Sequence, residues 1–309
     1  MLERLSWFRL ALQLKGSVLP SVLPRSLICG LMGILVAILH GQGVPVVLPT
    51  RESLIPSIVL GLLLVFRTNT AYDRFWEGRK CWGTLIINTR NLARQLWIAI
   101  QEQNPPDRQE KIAALQLLEA FAWATKQHLR QEPMGEQVTR LVSQHQNLQL
   151  QETSNRPLEI AFWLGDYLQQ QYQKQRIDSY QMTAMTQLLD RLVEALSGCE
   201  RILRTPMPLA YAIHLKQLLL IYCLALPFQL VKDCGWFTVP LVIVVSFTLL
   251  GIEEIGIEIE NPFGRDANDL PLDAICETIS RNIHDLMQLE SSTALPSVDQ
   301  LKDLQQIPE

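Results

Sequence analysis

Arg67-Thr-Asn-Thr-Ala-Tyr-Asp-Arg-Phe-Trp-Glu-Gly-Arg-Lys-Cys-Trp82 follows without a break on residues 53–66, a run that carries no charge. Crossing a bilayer takes about 20 apolar residues, roughly 30 Å at 1.5 Å per residue. A helix over this run therefore either stops short of the far side or continues its span through polar residues. The second alternative suits a helix that faces a water-filled path, since charged groups at membrane depth survive only there or inside protein.

The other apolar segments supply the setting. Residues 26–50 hold no charge, with a strongly apolar core at 27–39, and Gly41, Gly43, Pro45 and Pro49 then mark a turn. Residues 209–231 make a third span, with Lys216 in its first two turns. That cation reads either as a functional group or as a side chain snorkelling to the interface. Lys232-Asp233 signal a tight turn, and residues 235–252 form a fourth uncharged run. Four such runs predict an integral, multi-pass membrane protein. Arg67, Arg74, Arg79 and Lys80 follow the second span, Arg191, Arg201 and Arg204 precede the third, and Arg4, Arg9, Lys15 and Arg25 precede the first. The opposite side offers only Arg51 and Lys232. The positive-inside rule then places both termini in the cytoplasm of a cell whose inner membrane holds the chain. Glu3 and the late start of the first apolar run argue against a cleavable leader.

Residues 67–206 read as a polar helical insert. Asn104-Pro-Pro106 breaks it, with Asp107 placed to cap the next helix, and Ile112, Leu115, Leu118 and Ala122 recur at helical spacing. Gln131-Glu-Pro-Met-Gly135 is a second break, and Pro157 opens a further helix. Met182, Met185, Leu189, Leu192, Leu196, Cys199 and Leu203 then alternate steps of three and four, the seam of a packed bundle. No strand-like alternation of any length occurs. The predicted fold is all-α: a four-transmembrane-helix domain continuous with a cytoplasmic helical bundle. The chain divides into an N-terminal helix with spans one and two (1–66), the insert (67–206), spans three and four (207–252) and a cytoplasmic C-terminal segment (253–309).

A net charge of −4 without any basic, aromatic-studded stripe argues against nucleic acid as a partner. The six cysteines show no C-x-x-C pair and read as reduced packing residues, and the five histidines show no metal spacing. No nucleophile elbow, phosphate loop, dinucleotide fingerprint or zinc-protease motif is present, so the chain does not read as an enzyme. Ile58, Leu62 and Phe66 lie four residues apart along one helix face. From spacing alone they are either ordinary packing or, around a shared axis, stacked apolar collars of the kind that gate by dewetting. After the fourth span come Glu253, Glu254, Glu258 and Glu260, then Asn261-Pro-Phe-Gly-Arg-Asp-Ala-Asn-Asp269. Asp266, Asn268 and Asp269 can offer oxygen to a hard cation, or simply cap a turn into the helix that begins at Pro271.

At these stretches the chain resembles the bestrophin family. The matching signals are Arg67-Thr-Asn-Thr-Ala-Tyr-Asp-Arg-Phe75 with Gly78-Arg79 and Trp82, Thr205-Pro-Met-Pro-Leu-Ala-Tyr211, and Asn261-Pro-Phe-Gly-Arg-Asp266 with Asn268-Asp-Leu-Pro-Leu272. The resemblance implies a homopentameric channel in the lipid bilayer. In it Ile58, Leu62 and Phe66 of five copies form an apolar neck, and a second narrow ring deep in the cytoplasmic part falls at Met207. The thioether at that ring replaces the branched residue common in the family. The resemblance also implies, by the Ca²⁺ clasp of animal members, a weak Ca²⁺ site or none at Glu258, Asn261, Asp266 and Asp269. Ala267 and Asn268 interrupt the acidic run of that clasp, and no cofactor is required for conduction. Animal and plant members pass anions and some bacterial members pass monovalent cations. The expected function is an ion channel for small monovalent ions, chloride among them. A cation channel of the same fold and a non-conducting membrane scaffold are the alternatives.

Overall fold

The computed structural model describes residues 12–49 and 54–288, and among them there is no strand. Arg4, Arg9, Thr50, Arg51 and Ser53, used above for orientation and span limits, lie outside the described residues, as does the tail from 289.

Helix α1 spans Leu19–Gly41 and so begins seven residues before the expected start at Ser26. Pro20 sits in its first turn, where a missing N–H costs nothing, and Pro24 follows inside it. Helix α2 runs unbroken from Leu54 to Ala99, 46 residues and about 70 Å. The short apolar run is thus the opening of one long helix that continues through polar sequence.

The chain divides into two compact units. The first holds the described residues of Met1–Lys80 with Glu200–Leu270, and the second those of Cys81–Cys199 with the segment from Pro271.

In the first unit, helix α8 (Leu209–Cys234) and helix α9 (Thr238–Glu260) are separated by a 3₁₀ turn at Gly235–Phe237. Lys232 and Asp233 are still helical, contrary to the turn expected at them. The reversal comes at Gly235, whose φ of +50° is open to glycine at little steric cost. Helix α9 also outlasts its expected end at residue 252, so its last turns carry all four glutamates. Among the described residues three helical stretches are long and apolar enough to cross a membrane: Leu19–Gly41, Ile55–Ala99 and Leu209–Glu260, the last containing both α8 and α9. Helix α1 packs on α9 and α8 through Ser26, Cys29, Gly30, Gly33, Val36 and Ala37, mostly small residues that let helices approach closely. Cys29, Cys223, Leu226 and Val242 form one buried cluster, and Leu60, Leu64, Leu215 and Leu219 another that fixes α2 on α8.

The second unit is a helical bundle around α3 (Pro105–Leu129), with α4 (Glu136–Thr139), α5 (Gln144–Glu152), α6 (Arg156–Gln173), the part of α7 (Ser179–Arg204) up to Cys199, and α10 (Leu272–Gln288). The expected breaks hold. Asn104 and Asp107 form a capping box at the start of α3, where Asp107 accepts the Gln103 and Asn104 N–H groups at 2.9 Å. Those two N–H groups and the Arg176 guanidinium outweigh burial and hold the Asp107 carboxyl below its ordinary range. Asn155 caps α6. Met185, Leu189, Leu192, Leu196 and Cys199 are buried along α7, with Met182 and Leu203 half-buried at the ends of the seam. Asp273, in the first turn of α10, takes Lys126 at 2.6 Å and Arg130 at 2.7 Å. All six cysteines are free; burial raises the thiol of Cys276 to about 12, which keeps it an inert packing group.

Candidate functional site

Helix α2 has two unlike faces within the first unit. One carries Leu60, Leu64, Arg67 and Ala71, all buried. Leu60 and Leu64 pack on α8, and the Tyr211 hydroxyl donates to the Leu63 carbonyl at 2.8 Å. The other face carries Ile58, Leu62 and Phe66, which are 69%, 53% and 55% exposed. Successive steps of four residues keep them on one stripe. The helix is therefore anchored on one side and presents three large apolar groups on the other.

Arg67, the residue after Phe66, marks where the apolar stretch ends. It is only 3% exposed, and its guanidinium donates to Glu260 Oε2 at 2.8 Å. Glu260 Oε1 accepts the Met207 N–H at 3.0 Å, and the Met207 sulfur lies against Arg67 Nη1. Two turns on, Arg74 donates to the carbonyls of Glu260 at 3.2 Å, Ile202 at 2.7 Å and Thr205. Two arginines of α2 thus tie the end of α9 to the Thr205–Pro208 segment. Met207, which the family resemblance puts at a second narrow ring deep in the cytoplasmic part, belongs to the first unit and is half-buried against Arg67.

Three of the four glutamates of α9 lie against cations of other helices. Glu254 pairs with Arg25 of α1 at 2.8 Å, Glu253 lies 4.0 Å from Lys216 of α8, and Glu260 holds Arg67 of α2. Arg25, Lys216 and Arg67 thereby each meet a carboxylate from α9, which is how charge is tolerated within or beside apolar segments. None of these pairs is visible in local sequence, because the partners come from different helices. The signal available was a count: three cations in apolar segments require partners, and α9 alone supplies clustered acids.

The Asn261-Pro-Phe-Gly turn docks on α2. Phe263 is buried, and a Cβ on Gly78 would meet Pro262 Cγ at 2.8 Å, so two distant motifs of the sequence touch there. Asn261 Oδ1 accepts the Phe263 N–H at 3.3 Å, and Asp269 Oδ2 accepts the Asp266 N–H at 2.6 Å. Glu258, Asn261, Asp266 and Asp269 do line a common cavity of about 370 Å³. Among the described residues, however, no three His, Cys, Asp or Glu side chains converge as a metal cage. The Asn261 and Asp269 bonds are side chain to backbone within the turn.

Comparison with known proteins places this arrangement. A family model described as "Bacterial/Fungal Bestrophin protein" matches residues 1–285. A voltage-dependent anion channel-forming protein of Nostoc sp. is 59% identical over 283 residues, covering 92% of both chains. One of the same description from Synechocystis sp. is 52% identical over 283 residues, again covering 92% of each. Among solved structures, a bacterial bestrophin homolog from Klebsiella pneumoniae superposes with a TM-score of 0.79 at 31% identity, covering 86% of this chain and 98% of that one.

Proposed function

The chain belongs to the bacterial and fungal bestrophin family, and from that premise we propose that it forms an anion channel in which five copies of α2 surround an axial pore. The observation that carries this reading is the exposed stripe of Ile58, Leu62 and Phe66 on a helix whose opposite face is anchored by packing and ion pairs. Around a shared axis the three side chains stack into an apolar neck that passes ions when wetted and blocks them when dry. Relatives at 59% and 52% identity are described as anion channel-forming, which supports the sign of the ion.

The electrostatics of the first unit agree with that sign. Glu253, Glu254 and Glu260 would concentrate cations if they faced the path bare, but each is offset by Lys216, Arg25 or Arg67. Phe66 presents the positive edge of its ring where it lines the neck edge-on. Both termini and the second unit are assigned to the cytoplasm of a cell whose inner membrane holds the pentamer. The turn at Asn261–Asp269 is read as structural, with Ca²⁺ binding there weak or nil, and Met207 as part of the wall just past the neck. Planar-bilayer recording of the purified protein in asymmetric KCl tests the proposal. A reversal potential near that of chloride, unmoved when K⁺ is exchanged for a large organic cation, is the expected result. A reversal near that of K⁺ would assign the cation alternative.

A further inference from the structure

The stripe on α2 does not end at Phe66. Steps of three and four residues extend it through Asn69, Asp73, Trp76 and Lys80, all exposed. Ideal helix geometry puts Asp73 within about 20° of Phe66 around the axis and about 10 Å further along it. The neighbouring charges of this segment are engaged elsewhere: Arg67 with Glu260, Arg74 with three carbonyls, and Glu77 with Arg201 at 2.5 Å. Asp73 has neither an ion-pair nor a hydrogen-bond partner among the described residues. An exposed carboxylate with no local partner, in register with three apolar side chains that form the proposed neck, faces whatever those side chains face.

We propose that Asp73 governs how readily anions enter the pore from the side of the helical insert. The inference rests on the neck reading above. Five carboxylates then ring the path about 10 Å beyond Phe66 and lower the local anion concentration there. Lys80 is the next charge on the stripe, about 10 Å further, which is more than one Debye length at physiological ionic strength. An ion level with Asp73 is thus screened from Lys80, and the Asp73 ring sets the potential at that level. Five screened unit charges at about 8 Å from an axial ion sum to roughly a five-fold depletion of a monovalent anion. The consequence is a current that depends on direction. Anions entering from the insert side start from a depleted pool, whereas those entering from the opposite side do not.

The test uses the full-length channel in a bilayer with symmetrical KCl at about 0.15 M. Asp73→Asn is expected to raise the current carried by anions entering from the insert side about five-fold, with entry from the other side changed less than about two-fold. Asp73→Glu should keep the wild-type asymmetry. Asp233→Asn, in the last turn of α8 at the other end of the membrane helices, should leave the insert-side limb unchanged. The wild type offers a measure free of any variant: its asymmetry should shrink as KCl rises to about 1 M, where the Debye length is about 3 Å. A conducting wild type with salt-independent asymmetry, or an Asp73→Asn curve that superimposes on it, overturns this inference and leaves the channel reading standing. A fall in insert-side current in Asp73→Asn also overturns it, because cations would then be the carriers. A wild type that conducts nothing removes both.

Discussion

The two compact units treat large apolar side chains in opposite ways, while both bury charged groups. In the first, Ile28, Leu31, Leu220, Ile221 and Val244 stay largely outside, while Arg67 and Glu253 are buried. In the second, Leu115, Leu118, Phe121, Ile160 and Leu164 are sealed, and its ion pairs include both the exposed Arg140–Glu136 and the buried Arg176–Asp107. The difference is one of solvent. Where lipid surrounds the helices, apolar surface gains little by turning inward, and geometry is fixed by small-residue packing and by charges that must find partners. Where water surrounds them, apolar burial does most of the fixing, and the ion pairs range from exposed ones worth little to the buried Asp107–Arg176 pair at the start of α3. The exposed residues of the first unit are themselves of two kinds, those facing lipid and, on our reading, those of α2 facing the pore.

The sharpest way to break that last distinction is a paired substitution. Leu62→Ala with Phe66→Ala should widen the neck and raise both open probability and conductance, by about three-fold or more, in bilayer recordings. Ile28→Ala with Leu31→Ala should leave currents as they are. Equal effects in the two pairs would erase the difference between pore-facing and lipid-facing apolar groups.

The contrast between ion pairs comes next in size. Glu260→Ala leaves a buried guanidinium without its carboxylate and should cost about 3–5 kcal/mol in denaturation of the detergent-solubilised protein. Glu136→Ala, which removes a partner from an exposed i,i+4 pair, should cost less than about 0.5 kcal/mol. Similar costs would mean that the burial of Arg67 does not matter.

A smaller effect is expected where packing alone is at stake. Gly78→Ala presses a methyl group against Pro262 and Phe263, both held in the turn, and should destabilise the first unit by about 1–3 kcal/mol. A Tm equal to wild type would show that the turn shifts freely.

The smallest effect concerns acid. The Lys126 hydrogen bond, aided by Arg130, holds Asp273 below its ordinary value of 3.8, and backbone donors do the same for Asp107. Groups lowered on folding add stability that is complete above their unfolded values and lost as pH falls through the folded ones. The Tm of the second unit should therefore be flat above about pH 5 and fall below about pH 4. Asp273→Asn should blunt that fall. A Tm that rises on acidification would contradict the assignment.

Much of this was legible in the sequence, and the exceptions share a cause. The all-α character, the breaks at Asn104-Pro-Pro106 and before Pro157, and the seam from Met182 to Leu203 are local patterns, and each was read correctly. So was the short apolar run followed by polar helix, though only the structure chose continuation over termination. What could not be read is long-range. The helix start at Leu19 was obscured by Pro20, Pro24 and Arg25, whose charge is acceptable only because Glu254 meets it. The turn at Lys232-Asp233 was misplaced by two residues because charge pointed to one position and backbone freedom to another. The Arg67–Glu260 pair that holds Met207 joins three separate segments, so no local pattern shows it.

The central claim is that Leu62 and its companions line an ion path. Cysteine substitution tests it directly, since the native cysteines are buried or partly buried. In a bilayer, Leu62→Cys channels exposed to a small charged methanethiosulfonate should lose most of their current, while Ile28→Cys channels keep theirs. Undiminished current through fully modified Leu62→Cys protein would place that side chain outside the conduction path and contradict the account.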